Sequence, residues 1–214
     1  MTIELRTMSA DDWSVWRSVR LAALTDSPGA FGSRFRDWAD APEDRWRERL
    51  SIPGAIDLLA YDANGNAPVG IATGTPGGGR GSRAELISMW VDPAVRGRGV
   101  ATVLITAIAR WAADTGAATL ILSVMPDNFA ARRTYERNGF TVSNEPGDLL
   151  PGGRRELVML RDLSPSASAA TGSDWQQLAA GPQDGTAPDM RYRSSDQSHQ
   201  ALGGDWQTEP WRTA

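Results

Sequence analysis

The sequence predicts an α/β (α+β) fold: a mixed central sheet of about six to seven strands with four helices, in the order β-α-α-β-β-β-α-β-α-β-β. Two observations carry this. Three strand-like runs, 55–62, 67–75 and 84–91, are joined by links too short for crossover helices, so they should be antiparallel neighbours. An amphipathic helix then separates the third run from "ATLILSVM" (118–125), a nearly continuous apolar stretch. Such a strand is covered on both faces and runs parallel to its predecessor.

Each element has a local reason. "IELRTM" (3–8) reads as a strand, and Ser9 followed by Asp11 and Asp12 starts a helix over 10–26, with a hydroxyl to cap amides and acids to meet the helix dipole. "DSPGAFGS" (26–33) is a loop by its Pro and Gly content, and "APEDRWRERL" (41–50) opens a second helix with Pro and acids. Asn64-Gly65-Asn66 is a turn between the first two antiparallel strands, and the Gly-rich "PGGGRGSR" leads to the third. After Gly99, apolar residues recur at spacings of three and four (Val100, Val103, Leu104, Ala107, Ile108, Trp111), the stripe of a core-facing helix that stops at Gly116. Pro126-Asp127-Asn128 caps a short helix, "FAARRTYERN", ended by Gly139, and "FTVS" and "RELVMLRDL" supply the last strands.

These elements occupy residues 1–163, read as a single domain. From 164 to 214 the composition turns to Ser, Ala, Gly, Gln, Asp and Pro without periodicity, which predicts a low-complexity, disordered C-terminal tail; a plain tail is the first reading, and Trp175, Trp206 and Trp211 as docking points for a partner the alternative. Absences prune the chemistry. The chain has no Cys, its one His is His199, and all 22 of its basic residues are Arg. That removes thiol nucleophiles, Cys- or His-based metal sites, a Ser-His-Asp triad, a lysine Schiff base and a Walker phosphate loop. No metal is therefore expected. A net charge of −4 argues against nucleic acid as a partner, and neither a leader nor a long apolar run is present, so the expectation is a cytoplasmic protein with no membrane partner, a monomer or homodimer.

One segment stands out. Arg96-Gly97-Arg98-Gly99 lies between a strand and the helix of Val100, Ala101 and Thr102. The first amides of a helix lack helical acceptors and sit at the positive end of its dipole, glycines let a ligand approach the backbone, and arginines suit phosphate oxygens. The segment reads as a pyrophosphate site. A dinucleotide fingerprint over Gly97 to Thr102 fits poorly: its sixth residue is Thr, it follows three antiparallel strands, and no acid clearly takes the ribose role. A plain tight turn is the remaining reading, at the cost of two arginines set side by side for no gain.

"VDPAVRGRGVATVLI" resembles the acetyl-CoA-binding motif of the GNAT (Gcn5-related N-acetyltransferase) superfamily, Arg/Gln-x-x-Gly-x-Gly/Ala, at Arg96, Gly99 and Ala101. "NFAARRTYERNGF" resembles that family's next motif at Asn128, Ala131, Tyr135, Gly139 and Phe140, with Thr134 where Leu is common. The resemblance covers roughly residues 3 to 163. It implies the GNAT fold and an acetyl-CoA-dependent N-acetyltransferase, with the pyrophosphate on the amides from about Arg98 to Thr102, the pantetheine arm along the strand edge at Trp90 and Val91, and Asn128 flanking the thioester. Tyr135 matches the family's tyrosine acid, which would protonate the departing thiolate. The loop between the first two helices, with Phe31 and Phe35, would line the acceptor.

Direct transfer in a ternary complex is expected, because no Cys can carry the acyl group. The acceptor, a small-molecule or peptide amine, must be neutral to attack; for a lysine-like amine that costs roughly 4.6 kcal/mol at pH 7. Glu85, on the strand leading to the cofactor edge, is the candidate base, directly or through water; an exposed strand carboxylate is the plainer reading. The competing functions are a non-catalytic acyl-CoA-binding module with a partner-binding tail, and a transferase of another acyl group.

Overall fold

The computed structural model describes residues 1–63, 67–77, 82–150 and 153–164. The turn at 64–66, residues 78–81 of the Gly-rich segment and the tail with its three tryptophans lie outside the described residues. Seven strands form one sheet: β1 (Ile3–Met8), β2 (Ile56–Asp62), β3 (Pro68–Pro76), β4 (Arg83–Val91), β5 (Thr119–Val124), β6 (Thr141–Leu149) and β7 (Arg155–Asp162), in the spatial order β1-β2-β3-β4-β5-β7-β6. Helices α1 (Trp13–Asp26), α2 (Phe35–Trp38) and α3 (Glu43–Arg49) connect β1 to β2; α4 (Val100–Asp114) joins β4 to β5, and α5 (Phe129–Arg137) joins β5 to β6. β1 to β4 pair antiparallel and β4 to β5 parallel, as the short links and the α4 crossover require.

Two local differences from the sequence expectation have clear causes. Before α1 the chain makes a 3-10 turn, Ala10–Asp12: the Ser9 amide donates to the Asp12 carboxylate at 2.8 Å while the Asp11 amide donates to the Ser9 hydroxyl at 3.3 Å, so the cap sits one turn ahead of the helix proper. β6 runs on to Leu149, past the expected "FTVS" and through an Asn-Glu-Pro-Gly stretch. It is an edge strand paired only with β7, and its register shifts on both sides of Pro146, so a residue without an amide proton is tolerated there.

The sheet carries a separate core on each face. Leu104, Ile105 and Ile108 of α4 pack with Leu120, Leu122, Phe140 and Met159 on one. The approach of α4 is close enough that a Cβ on Gly74 of β3 would lie 2.6 Å from the Trp111 ring. On the other face Trp16, Leu24, Phe31, Trp38 and Trp46 cover Leu59, Ile71 and Trp90. Among the described residues no helix is long and apolar enough to cross a membrane.

Candidate active site

The site begins as an opening in the sheet. β4 and β5 pair only at Arg83↔Thr119, Ala84↔Leu120 and Glu85↔Ile121, and beyond Glu85 they part. At the same level β4 is bulged: Thr73 faces Ile87 and Ile71 faces Trp90, so Ser88 and Met89 share one opposing residue. Ser88 adopts φ 57, the left-handed region that a serine occupies only when its surroundings hold it there. Its buried hydroxyl accepts a hydrogen bond from Arg49 Nη2 at 3.3 Å. The bulge turns strand backbone out of the ladder at the point where the two strands separate.

The Arg-Gly turn closes one end of the opening. Asp92 caps a 3-10 turn, Pro93–Val95, through the Ala94 amide at 2.8 Å, and Gly97 and Gly99 follow at φ 79 and 88. A Cβ at either glycine would meet no protein atom within 4 Å, so the backbone conformation, not protein crowding, demands glycine there. The Val103 amide donates to Gly99 at 3.1 Å, which leaves the amides of Val100, Ala101 and Thr102 ahead of the helical ladder. Arg96 is engaged elsewhere: Nε donates to the Val91 carbonyl at 3.0 Å and Nη2 to the Asp26 carboxylate, which also accepts from Trp90 Nε1 at 2.9 Å. Burial works to raise the Asp26 carboxyl, but hydrogen bonds from Trp90, Ser27 and Arg96 outweigh it and hold the group below its ordinary value. Arg96 and Trp90 thus tie the end of α1 to the end of β4.

These parts enclose a cleft of about 650 Å³, within the range of ligand sites. Of the residues singled out in the sequence, Phe31, Trp90, Val91, Arg96, Gly97, Gly99, Val100, Ala101, Thr102, Asn128 and Tyr135 line it. Asn128 also caps α5, accepting from the Ala131 amide at 3.2 Å. Tyr135 is 6% exposed and packs edge-on against Phe140 at 5.8 Å; burial pushes its phenol up, so it stays protonated. Three residues fall outside the lining. Arg98 is exposed, and Phe35 on α2 is 45% exposed. Glu85 is buried, contrary to a plain surface carboxylate; its neighbours Ala84 and Leu86 point into the α4 core, so it faces the other way, at the vertex of the opening.

Sequence reading missed a buried charged set on the face turned away from α4. Arg49 donates to Asp57 at 3.1 Å and to Thr73 at 2.8 Å, and the Thr73 hydroxyl donates to Asp57 at 2.5 Å. Glu156 is 2% exposed with neither oxygen in hydrogen-bond geometry. Burial, with the charges of Asp148 and Glu85 adding, pushes it up to about 7, opposed only by the nearby Ser123 hydroxyl. The available signal was phase: Glu156 alternates in step with Val158, opposite Leu157 and Met159. Met89, Arg133 and Arg137 also line the cleft.

The sequence matches the model of the Acetyltransferase (GNAT) family over residues 20–140, more than half of its length. The chain belongs to the GNAT family. It is 42% identical over 107 residues to a mycothiol acetyltransferase from Rhodococcus erythropolis, covering 48% of this chain and 36% of that protein. A mycothiol acetyltransferase from Mycobacteroides abscessus is 44% identical over 59 residues, 28% of this chain and 20% of its own. The chain therefore spans well under half the length of these curated relatives. Among solved structures, a GNAT acetyltransferase from Streptococcus pneumoniae superposes with a TM-score of 0.61 at 20% identity, over 75% of this chain and 99% of that one. The PaiA N-acetyltransferase from Thermoplasma acidophilum, in complex with coenzyme A, gives 0.59 at 17%, over 76% and 99%. At such identities the likeness is one of GNAT fold, including the mixed seven-stranded sheet.

Proposed function

We propose that this GNAT chain is an acetyl-CoA-dependent N-acetyltransferase that passes the acetyl group directly to a primary amine of a small-molecule or peptide acceptor in a ternary complex. The observation that carries the reading is a coincidence at one opening in the sheet: the bulged edge of β4, the unladdered amides of α4 and the protonated phenol of Tyr135 all border one cleft. The residues fit the co-substrate. Amides from Val100 to Thr102 at a helix N-terminus suit a pyrophosphate, with Gly97 and Gly99 setting the turn and Arg98, Arg133 and Arg137 supplying charge. Main-chain groups at Met89 and Trp90 would take the pantetheine arm, since the Val91 carbonyl is already held by Arg96. Arg96 acts as a brace for the turn, and Asn128 flanks the acyl end.

In the reaction the amine nitrogen attacks the thioester carbon, an N–C bond forms and the C–S bond breaks. Strand amides near Trp90 stabilise the oxyanion. The amine proton passes to Glu85, directly or through water, and Tyr135 gives its proton to the leaving thiolate. Burial keeps the phenol protonated, and the step requires that proton. The relatives named for mycothiol favour a small-molecule acceptor.

The test follows thiol release from acetyl-CoA with a panel of amines, alongside calorimetric binding of acetyl-CoA. Tyr135→Phe should lower kcat by about 10²-fold, the usual worth of a positioned acid, with acetyl-CoA affinity unchanged. Unchanged turnover would move Tyr135 to a packing role. Failure of the intact protein to bind acetyl-CoA would defeat the proposal.

A further inference from the structure

Arg20 lies on the inner face of α1 among Trp16, Val19, Ala23 and Leu24, and is only 5% exposed. Among the described residues no hydrogen bond or ion pair meets its guanidinium, and Nη1 is wholly buried without a partner. Its neighbour Arg49 shows what a buried arginine ordinarily has: Asp57, Thr73 and Ser88 all engage it. Arg20 has a cation beside it instead. Burial, and then the positive charge of Arg49, push it down to about 9. The Phe31 ring lies over it, 4.5 Å away, a contact that offsets little of the lost hydration.

Phe31 is also part of the cleft lining and belongs to the loop between α1 and α2, so one residue borders the cleft and contacts the unpaired cation. α1 packs on the sheet face turned away from α4, the face that also carries Glu85. A molecule reaching past Phe31 would find positive charge at one end and the vertex of the β4/β5 opening at the other. We propose that Arg20 is the anion-binding residue of the acceptor site, receiving a carboxylate of the acceptor once Phe31 moves off it, so that the acceptor is an amino carboxylate such as an α-amino acid. The carboxylate supplies the countercharge that the fold withholds, and a guanidinium fork takes it through two parallel N–H bonds. The amine is then directed towards the opening.

This rests on the acetyltransferase reading, and binding without turnover separates the two. The twenty common α-amino acids and their α-carboxamides are titrated calorimetrically into the full chain, and coenzyme A is titrated separately. At least one amino acid should bind 10-fold or more tightly than its carboxamide. Arg20→Gln should erase that ratio, leave coenzyme A affinity unchanged and raise the melting temperature, because an unpaired buried charge is removed; Arg20→Lys should restore part of the ratio. If every acid and carboxamide bind alike, or Arg20→Gln retains the ratio, or its melting temperature falls, Arg20 is a structural cation and the proposal is overturned. Should coenzyme A fail to bind, the functional reading falls, while the acid-to-carboxamide ratio still decides Arg20.

Discussion

The two faces of this sheet are built on different principles. Under α4 and α5 the core is aliphatic and aromatic, with the phenol of Tyr135 as a polar tip within it. On the opposite face lie Arg20, Arg49, Asp57, Thr73, Glu85, Ser88 and Glu156, all buried. The α4 side needs little side-chain chemistry, because a helix N-terminus and a bulged strand supply donors from backbone alone. Charge is costly to bury; on this face Arg49 and Asp57 offset the cost by pairing, whereas Arg20 Nη1 and the Glu156 oxygens lack a partner among the described residues. In the proposed function that face meets the acceptor, and it is where specificity should reside.

The largest expected effect breaks the charged face. Arg49→Leu leaves Asp57 buried with only the Thr73 hydroxyl, and should lower stability in urea denaturation by about 3–5 kcal/mol, the usual loss when one partner of a buried pair is removed. Adding Asp57→Leu should recover most of it, since a pair replaced by apolar groups is often neutral. Leu104→Ala under α4 should cost a comparable roughly 2–5 kcal/mol, yet a second truncation there should only deepen the loss by enlarging the cavity. Failure of the double variant to recover would mean that Arg49 holds the fold chiefly by supporting the Ser88 bulge.

What the sequence made legible divides along the same line. The order of elements along the chain, the three antiparallel neighbours, the parallel crossover and the Arg-Gly turn were readable because short links, continuous apolar runs and glycines act locally. Of the residues bordering the cleft, Gly97 and Gly99 to Thr102 followed from the glycine turn and helix start, and Trp90, Val91, Asn128 and Tyr135 from the family resemblance. The charged face was not readable, because Arg20, Arg49 and Asp57 come from three separate elements and are brought near one another only by tertiary packing, and Glu156 comes from a fourth. An arginine one turn beyond Trp16 reads as a solvated helix position until α1 is laid on the sheet. Arg96 shows what tertiary packing adds to a motif position: it lines the cleft, and its head group is also engaged by Asp26, 70 residues away in sequence.

A smaller effect sharpens the contrast through pH. Burial raises Glu156 from an ordinary 4.5 to about 7, so between those values the unfolded chain gives up a proton that the folded chain keeps. Glu156 therefore costs nothing below about pH 4.5, destabilises the fold increasingly as pH rises towards 7, and costs a constant amount above it. The shift corresponds to about 3 kcal/mol at 1.36 kcal/mol per pKa unit. Glu156→Gln should thus be stabilising by about 2–3 kcal/mol at pH 8 and near neutral at pH 4, measured by urea denaturation at both. The same gain at both pH values would mean that the amide packs better and that the carboxylate's charge is not the cause.

The smallest effect lies where the two faces meet, at the start of α4. Gly99 holds φ 88, and a Cβ there touches no protein atom, so Gly99→Ala should cost only the left-handed backbone penalty, about 1–2 kcal/mol. Space that is empty of protein is where the proposed pyrophosphate would lie. The same methyl should therefore weaken acetyl-CoA binding by more than 10-fold while the melting temperature falls modestly. Gly74→Ala is the matched control: its Cβ would press on the Trp111 ring at 2.6 Å, inside the apolar core, and should damage stability more than binding. If Gly99→Ala loses stability and affinity in the same proportion as Gly74→Ala, the turn serves the fold alone. Loss of affinity out of proportion to stability would mean that the glycine is kept for a ligand.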